Sequence, residues 1–420
     1  MATQLIPQLS FPAHFAIELP LSKSIVARNL LLEYAYHRPL QQYATAVKGD
    51  FSCEDISVLY EALVTLQANR GATKSDIVHL YSGESGTAYR FLLVTALFEP
   101  HPTALHYAPR LKERIQSKDF LPFQKLGAKI EHRPELCQTL ITPAPLRPGS
   151  VCSGDWDSSQ YLSALLLTQP LHTVPLQINL DSTAPSYSYI RLTEAVMHSK
   201  EQHTTSTLLE RDWSAASFWY LLMSLHPEIQ SITFPDLQHD SAQPDVALNS
   251  FFQAFGLQFS PKGKLTRHDS ANTSTDLHID LTQNLDLFSP LLSAAVLHDR
   301  PIQITGIQNL RIKESDRIQS TLDNLQAIGA NDFQVESNRL IWHPNQERRL
   351  QESVPRGTSQ SIPDLDAYGD HRIAMTMATI ATSLPYGAHL SGIESIQKSY
   401  PQFLSQLLGL GRPYNKNITI

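Results

Sequence analysis

The chain has 420 residues, 42% apolar and 17% charged, with a net charge of -7 at neutral pH. That length holds two or three domains with sizeable cores, and the composition is that of a globular protein. The negative balance excludes the basic field that nucleic-acid backbones require, so any anion site has to be a local gathering of Lys and Arg. Three cysteines (Cys53, Cys137, Cys152) without CxxC spacing predict a reducing compartment. The start lacks the basic-then-apolar pattern of a leader, and no uncharged apolar run is long enough to span a bilayer, so a cytoplasmic location is expected. Seventeen histidines show no HExxH and no Cys/His ligand spacing; His198 and His203 share no helix face. Surface histidines and no metal are the expectation.

In chain order, the first twenty residues read as strands that belong with the second half of the chain. Pro20-Leu21-Ser22-Lys23-Ser24 then opens a helix with Ile25, Ala27, Leu31 and Leu32 on its apolar side. Ser24 and Arg28 share one face and Lys23 stands at the N-terminus, where free N–H groups favour an anion. An ordinary capped surface helix explains the same letters about equally well. Gly83-Glu84-Ser85-Gly86 leads into a second helix with Arg90 one turn in, and lacks the Gly-Lys-Ser/Thr ending of a Walker loop. Arg110-Leu-Lys112-Glu113-Arg114 is a basic cluster before a helix, and by itself reads as a solvated face. Asp157-Ser158-Ser159-Gln160 puts consecutive hydroxyls at another helix mouth, and Ser186 to Ile190 offers further hydroxyls.

A unit recurs: residues 121–130, 250–259 and 322–330 each end an apolar-periodic helix in Gly, with a strand-like segment after at least the first two. Glycine suits the left-handed position that turns a helix back into a strand. A weaker copy spans 61–81. Repetition of this kind points to a duplicated α/β architecture. Pro-rich connectors fill 134–148 and 343–365. Around 204–217 a polar strand feeds a new helix, a natural point to leave one lobe.

Asp286 interrupts the apolar run 284–297; it reads either as that helix's N-cap or as a carboxylate able to take a proton from a hydroxyl. The densest stretch is Asn309-Leu-Arg-Ile-Lys313-Glu314-Ser-Asp316-Arg317, leading into Ile318, Leu322, Leu325 and Ile328. On a helix Lys313 and Arg317 share a face, and Glu314 sits three residues before Arg317. Gly369-Asp370-His371-Arg372 and Lys398-Ser-Tyr-Pro401 close the series. His371 reads equally as a packed histidine.

Read together, these segments resemble the enolpyruvyl transferases, and among them the EPSP synthase (3-phosphoshikimate 1-carboxyvinyltransferase) family. The motifs are PxSKSxxxR (Pro20 to Arg28), GxxGTAxR (Gly83 to Arg90), RxKER (Arg110 to Arg114), SSQ (158–160), NxRxKExDR (309–317), DHRxAM (370–375) and KxxP (398–401), in the family's order. The resemblance implies an α/β fold of two similar lobes, each of about three βαβαββ units, as in an inside-out α/β barrel, with the site in the interlobe cleft. The boundaries expected are 1–21 plus 213–420 for one lobe and 22–212 for the other. It further implies that Lys23, Ser24, Arg28, Ser158, Ser159, Gln160, Ser186, Asp286, Asn309 and Lys313 hold shikimate 3-phosphate. Phosphoenolpyruvate would lie on Lys23, Gly86, Arg114, Gln160, Arg317, Arg372 and Lys398. Asp286 is the expected base, with Glu314 or Lys23 the acid.

No cofactor is implied, since fixed cations can stabilise the charge. The partners expected are the two small substrates, with no nucleic acid and no membrane, and a monomer. The alternatives are the enzyme that transfers enolpyruvate to UDP-N-acetylglucosamine, whose loop cysteine acid has no counterpart in Cys53, Cys137 or Cys152, and a non-catalytic anion-binding relative. Leu21, Glu84, Ser85, Phe91 and Ile115 stand where the family usually has Gly, Asn, Ala, Pro and Pro.

Overall fold

The computed structural model describes residues 2–47, 53–71, 76–201, 210–268, 276–344 and 362–414. The chain divides into two compact units: a larger one of Met1–Pro20 with Arg211–Ile420, and a smaller one of Leu21–Glu210. Each has its own apolar core.

One βαβαββ pattern builds both. In the smaller unit, strand Val78–Tyr81, helix Gly86–Ala96, strand Thr103–His106, helix Leu121–Lys125 and the hairpin Lys129–Arg133/Gln138–Thr142 follow one another. The first two strands run parallel, and the last strand inserts antiparallel between the second and the third. The larger unit repeats this with Leu277–Asp280, Ile302–Thr305, Gln334–Val335 and Arg339–Trp342. It repeats it again with His14–Ala16, Ser231–Thr233, Leu257–Phe259 and Lys264–Arg267. Its third sheet pairs Asp364–Asp366 parallel with Ala388–Ser391, and Thr3–Ile6 supplies the antiparallel strand. The first twenty residues thus lend one strand to each of three sheets formed with the distant half of the chain, the third being Leu9–Ser10 against Arg412–Pro413. In the smaller unit Gly149–Cys152 and Leu176–Asn179 form the parallel half of a further copy.

In every complete copy the second helix turns into its strand at a glycine in left-handed conformation: Gly127 (φ 96°), Gly256 (φ 71°) and Gly329 (φ 94°). These are the glycines of the recurring sequence unit, and a Cβ there would meet the carbonyl, which is why the slot selects glycine. The weaker copy around Gly71 differs: its helix Glu54–Ala68 ends on Asn69, and Gly71 has no positive φ. Residues 202–209 and 345–361, which hold most of the polar strand and of the second connector, lie outside the described residues.

Six helices, three in each unit, are buried on nearly all sides, as a helix surrounded by others must be. These are α1 (Lys23–Ala35), α2 (Gly86–Ala96) and α3 (Ser159–Leu167) in the smaller unit, and α4 (Trp213–Leu225), α5 (Phe288–Leu297) and α6 (His371–Ala381) in the larger. Within each unit the three pack on one another. Every residue of α6 is buried. No helix among the described residues is long and apolar enough to cross a membrane, and no group of three or more His, Cys, Asp or Glu among them is placed to hold a metal. Burial corrects the expectation of surface histidines at His101 and His226, which lie in the interior, while His371 is buried as its packed reading has it.

Candidate functional site

Polar side chains collect where the buried helices begin, because an N-terminus leaves backbone donors that apolar residues cannot satisfy. In the larger unit the centre is Arg317, 1% exposed. Its Nη1 donates to Asp286 Oδ1 at 2.9 Å, its Nη2 to Glu314 Oε2 at 2.6 Å, and its Nε to Asp370 Oδ2 at 2.9 Å. Arg372 Nη2 donates to the other oxygen of Asp286 at 2.7 Å. Asp370 caps α6 by accepting from the backbone N–H of Arg372 at 2.9 Å. Lys398 Nζ donates to the carbonyl of Gly369 at 3.0 Å, beside the same helix mouth.

Burial would push the Asp286 carboxyl up, but Arg372, Lys313 and Arg317 together hold it well below the usual carboxylate range, against the opposing charge of Glu314. Burial likewise opposes the charge on Arg317, yet Asp370, Glu314 and Asp286 keep its guanidinium protonated beyond its ordinary range. A buried arginine with three carboxylates in hydrogen-bonding contact is held by geometry, not by propensity.

Two local readings are corrected here. Asp286 is not a helix N-cap: it sits inside the 3-10 turn Leu285–Leu287, and the residue ahead of α5 is Leu287. Lys313 and Arg317 do not share a helix face, because the helix starts at Arg317 and Lys313 is in extended conformation after the 3-10 turn Gln308–Ile312. Asp316 caps that helix by accepting from the Gln319 N–H at 3.1 Å. The Glu314–Arg317 pair forms all the same, across an irregular turn.

In the smaller unit the arginines have different company. Arg28, buried on α1, donates to Thr193 Oγ1 (2.8 Å), the Ser24 carbonyl (2.8 Å), the Tyr189 carbonyl (3.1 Å) and Ser163 Oγ (3.4 Å). Burial brings its pKa down to about 10, partly offset by Tyr189. Arg90 donates to Gln160 Oε1 at 2.9 Å and to the carbonyls of Gly86 and Arg114 at 3.2 and 3.3 Å. Among the described residues neither arginine is ion-paired. Gln160 is held in turn by Thr87, to whose Oγ1 its Nε2 donates at 2.7 Å. A Cβ on Gly86 would stand 2.7 Å from Arg90 Nη1 and 2.8 Å from Arg114 Nη2, so a bare backbone is what lets two guanidinium groups approach the mouth of α2. Lys23 Nζ, at the start of α1, pairs with Asp55 at 2.7 Å.

Ser158 caps α3, accepting from the Gln160 N–H at 3.3 Å, and Ser159 is the first helical residue. Ser186 holds a left-handed conformation (φ 61°) just before helix Tyr187–Glu201, a position most side chains avoid. The RxKER cluster is itself a 3-10 turn, Pro109–Arg114. Arg110, Lys112 and Glu113 are exposed as a solvated face should be, while Arg114 is half-buried toward Gly86.

A second recurring slot becomes visible. The turn that follows the second strand of a copy carries Arg114, Ser186, Asn309 to Glu314, and Lys398. The remaining copy puts Asp245 there, in Pro244–Ala247. Sequence reasoning named Arg90 and Asp370 within their motifs without giving them a role, and missed Asp245 and Asp55; the position of Asp245 just ahead of the 250–259 repeat was the signal for it. Asp245 is 2% exposed and accepts from Ser214 Oγ. Burial, and then the negative charge of Asp286, push its carboxyl up to about 7, against Arg372 and Ser214.

Among the departures from the family pattern, Ser85 caps α2 by accepting from the Ala88 N–H at 3.2 Å. Phe91 and Ile115 are core residues of the smaller unit.

The profile of the family described as EPSP synthase (3-phosphoshikimate 1-carboxyvinyltransferase) matches residues 17–407. A Bacteroides fragilis protein named 3-phosphoshikimate 1-carboxyvinyltransferase is 28% identical, covering 96% of this chain and 97% of that one. One of the same name from Dehalococcoides mccartyi is 25% identical with the same coverage. In fold, the chain resembles the EPSP synthase of Acinetobacter baumannii (TM-score 0.60, 15% identity, 97% of this chain and 98% of that). It also resembles the enolpyruvyl transferase NikO of Streptomyces tendae (TM-score 0.62, 13% identity, 98% and 97%).

Proposed function

The chain belongs to the EPSP synthase family, and from that premise we propose that it transfers the carboxyvinyl group of phosphoenolpyruvate to the 5-hydroxyl of shikimate 3-phosphate, releasing phosphate. The observation that carries this reading is the carboxylate of Asp286 gripped by Arg317 and Arg372, with Lys313 and Glu314 beside it. In the addition, the 5-oxygen bonds to C2 of phosphoenolpyruvate, its proton passes to a base, and C3 gains a proton. In the elimination, C3 loses a proton, the C2–O bond to phosphate breaks and the double bond re-forms. A base near the hydroxyl and an acid near C3 are therefore required.

Asp286 is the base of this reading, and Glu314 and Lys23 are the two groups able to protonate C3. Arg317, Arg372 and Lys398 in the larger unit, and Lys23, Gly86, Arg114 and Gln160 in the smaller, receive phosphoenolpyruvate. Lys23, Ser24, Arg28, Ser158, Ser159, Gln160 and Ser186, with Asp286, Asn309 and Lys313, receive shikimate 3-phosphate. Two phosphates and two carboxylates favour arginine donors in fixed positions, which supply charge stabilisation without reorganisation. No organic cofactor enters these steps. The chain then works in the cytoplasm as a monomer, on small substrates alone.

A phosphate-release assay tests the reading: release must require both substrates. Release with UDP-N-acetylglucosamine in place of shikimate 3-phosphate would move the assignment to that sister reaction, and binding without release would leave an anion-binding relative. Asp286→Ala should lower kcat by at least about a hundredfold while the substrates still bind. Near-normal turnover in that variant would place the base elsewhere.

A further inference from the structure

The grip on Asp286 poses a problem for its proposed role. A carboxylate bonded through both oxygens to two guanidinium groups, with Lys313 facing it as well, is a poor proton acceptor. Each of the three nitrogens of Arg317 already donates to a different carboxylate, which occupies three of its five N–H donors. A ligand carboxylate that gives one oxygen to Arg317 and one to Arg372 has to take the place Asp286 now holds.

Asp370 is the fixed member. Its side chain is fully buried, it caps α6, and it holds Arg317 Nε. Glu314 accepts from Arg317 Nη2 in a bond that runs along its own turn. Asp286 bridges Arg317 and Arg372 with one oxygen to each, which is the arrangement a planar ligand carboxylate would adopt between them, and its side chain is 17% exposed.

We propose that Asp286 is the stored occupant of the substrate-carboxylate seat, and that the incoming carboxylate of phosphoenolpyruvate displaces it from Arg317 and Arg372, converting a locked anion into the base. This rests on the reading that those two arginines receive phosphoenolpyruvate. The exchange makes and breaks hydrogen bonds only. The ligand's oxygens accept from the two arginines, and Asp286, released, is left among Lys313, Glu314, Asp245 and the new anion. All of these except Lys313, together with burial, favour its protonated form, so its affinity for the 5-hydroxyl proton rises at the moment both substrates are in place. The base is thereby silent until the acceptor of the nucleophile has arrived.

The test separates the exchange from the seat. Phosphoenolpyruvate is titrated calorimetrically into the full chain without shikimate 3-phosphate, so that no turnover occurs, at pH 5.5 and 7.5 in buffers of different ionisation enthalpy. Asp286→Asn, checked for a native melt, should bind it about tenfold more tightly than wild type, because the competitor for the arginines has lost its charge. Asp286→Glu keeps that charge and should stay within about threefold of wild type. Wild type should also take up more protons on binding at pH 5.5 than Asp286→Asn does. Equal or weaker binding by Asp286→Asn, with the same proton count, overturns the exchange while leaving the seat in place. If wild type and Asp286→Asn both fail to bind, or Arg372→Gln binds as wild type does, the seat reading fails and the exchange falls with it.

Discussion

The larger and smaller units use one scaffold and opposite electrostatics. Each packs three apolar helices together and brings ionisable groups to their N-termini. In the larger unit the buried arginine is surrounded by Asp286, Glu314 and Asp370. In the smaller unit the buried Arg28 and Arg90 donate to hydroxyls, carbonyls and an amide. Arg28, a buried cation among neutral acceptors, has a lowered pKa and gains from an arriving anion; Arg317, already neutralised, gains chiefly by exchange. The same kind of helix mouth can thus be a receptor for anions in one unit and a store of acid–base groups in the other.

The sharpest way to break this contrast is to remove the central cation on each side. Arg317→Gln takes one guanidinium from three carboxylates, all of them at least half-buried and only Asp286 still held by Arg372 among the bonds described, and should destabilise the protein by about 3–5 kcal/mol, lowering the melting temperature by about 10 °C and abolishing phosphate release. A melt within about 2 °C of wild type would show that the cluster is not what holds this mouth together. Arg28→Gln should instead act on the ligand: shikimate 3-phosphate should bind about 30-fold more weakly, with a far smaller change in the unliganded melt than Arg317→Gln causes. Equal thermal losses in the two variants would erase the distinction.

Asp245→Asn sharpens the larger unit's side. The folded-state carboxyl sits at about 7 against an ordinary 3.8, so the native state binds more protons between those values and stability falls as pH rises from about 4 to about 7. Removing the charge should therefore raise the melting temperature by a few degrees at pH 7.5 and leave it unchanged at pH 3.5. A shift of the same size at both pH values would mean that packing, not charge, is responsible. The smallest effect belongs to Ser85→Ala, which removes the cap on α2 and should lower stability by about 1 kcal/mol while leaving the KM for phosphoenolpyruvate unmoved. A changed KM would make Ser85 part of the ligand seat.

Much of this was legible from residues alone. Glycine after three apolar helices predicted a repeated α/β unit because only a residue without Cβ takes the left-handed turn cheaply. Hydroxyls and bases at helix mouths marked Lys23, Ser24, Arg28, Gly86 and Ser158, since backbone donors there want an acceptor. The motif series tied these segments to one family through their order along the chain.

What the local pattern left open is which cation meets which anion. Spacing placed Lys313 and Arg317 on one helix face, but the chain bends between them and two of the three carboxylates on Arg317 come from residues 286 and 370. Asp286 read as a cap because a short acid before an apolar run usually is one; its bond to Arg372, 86 positions away, takes that job from it. Propensity and periodicity act over one or two turns, so they determined where helices begin and what polar groups stand there. Charge pairing in a buried cluster is decided by burial and by distances between remote segments, and only the packed fold sets those.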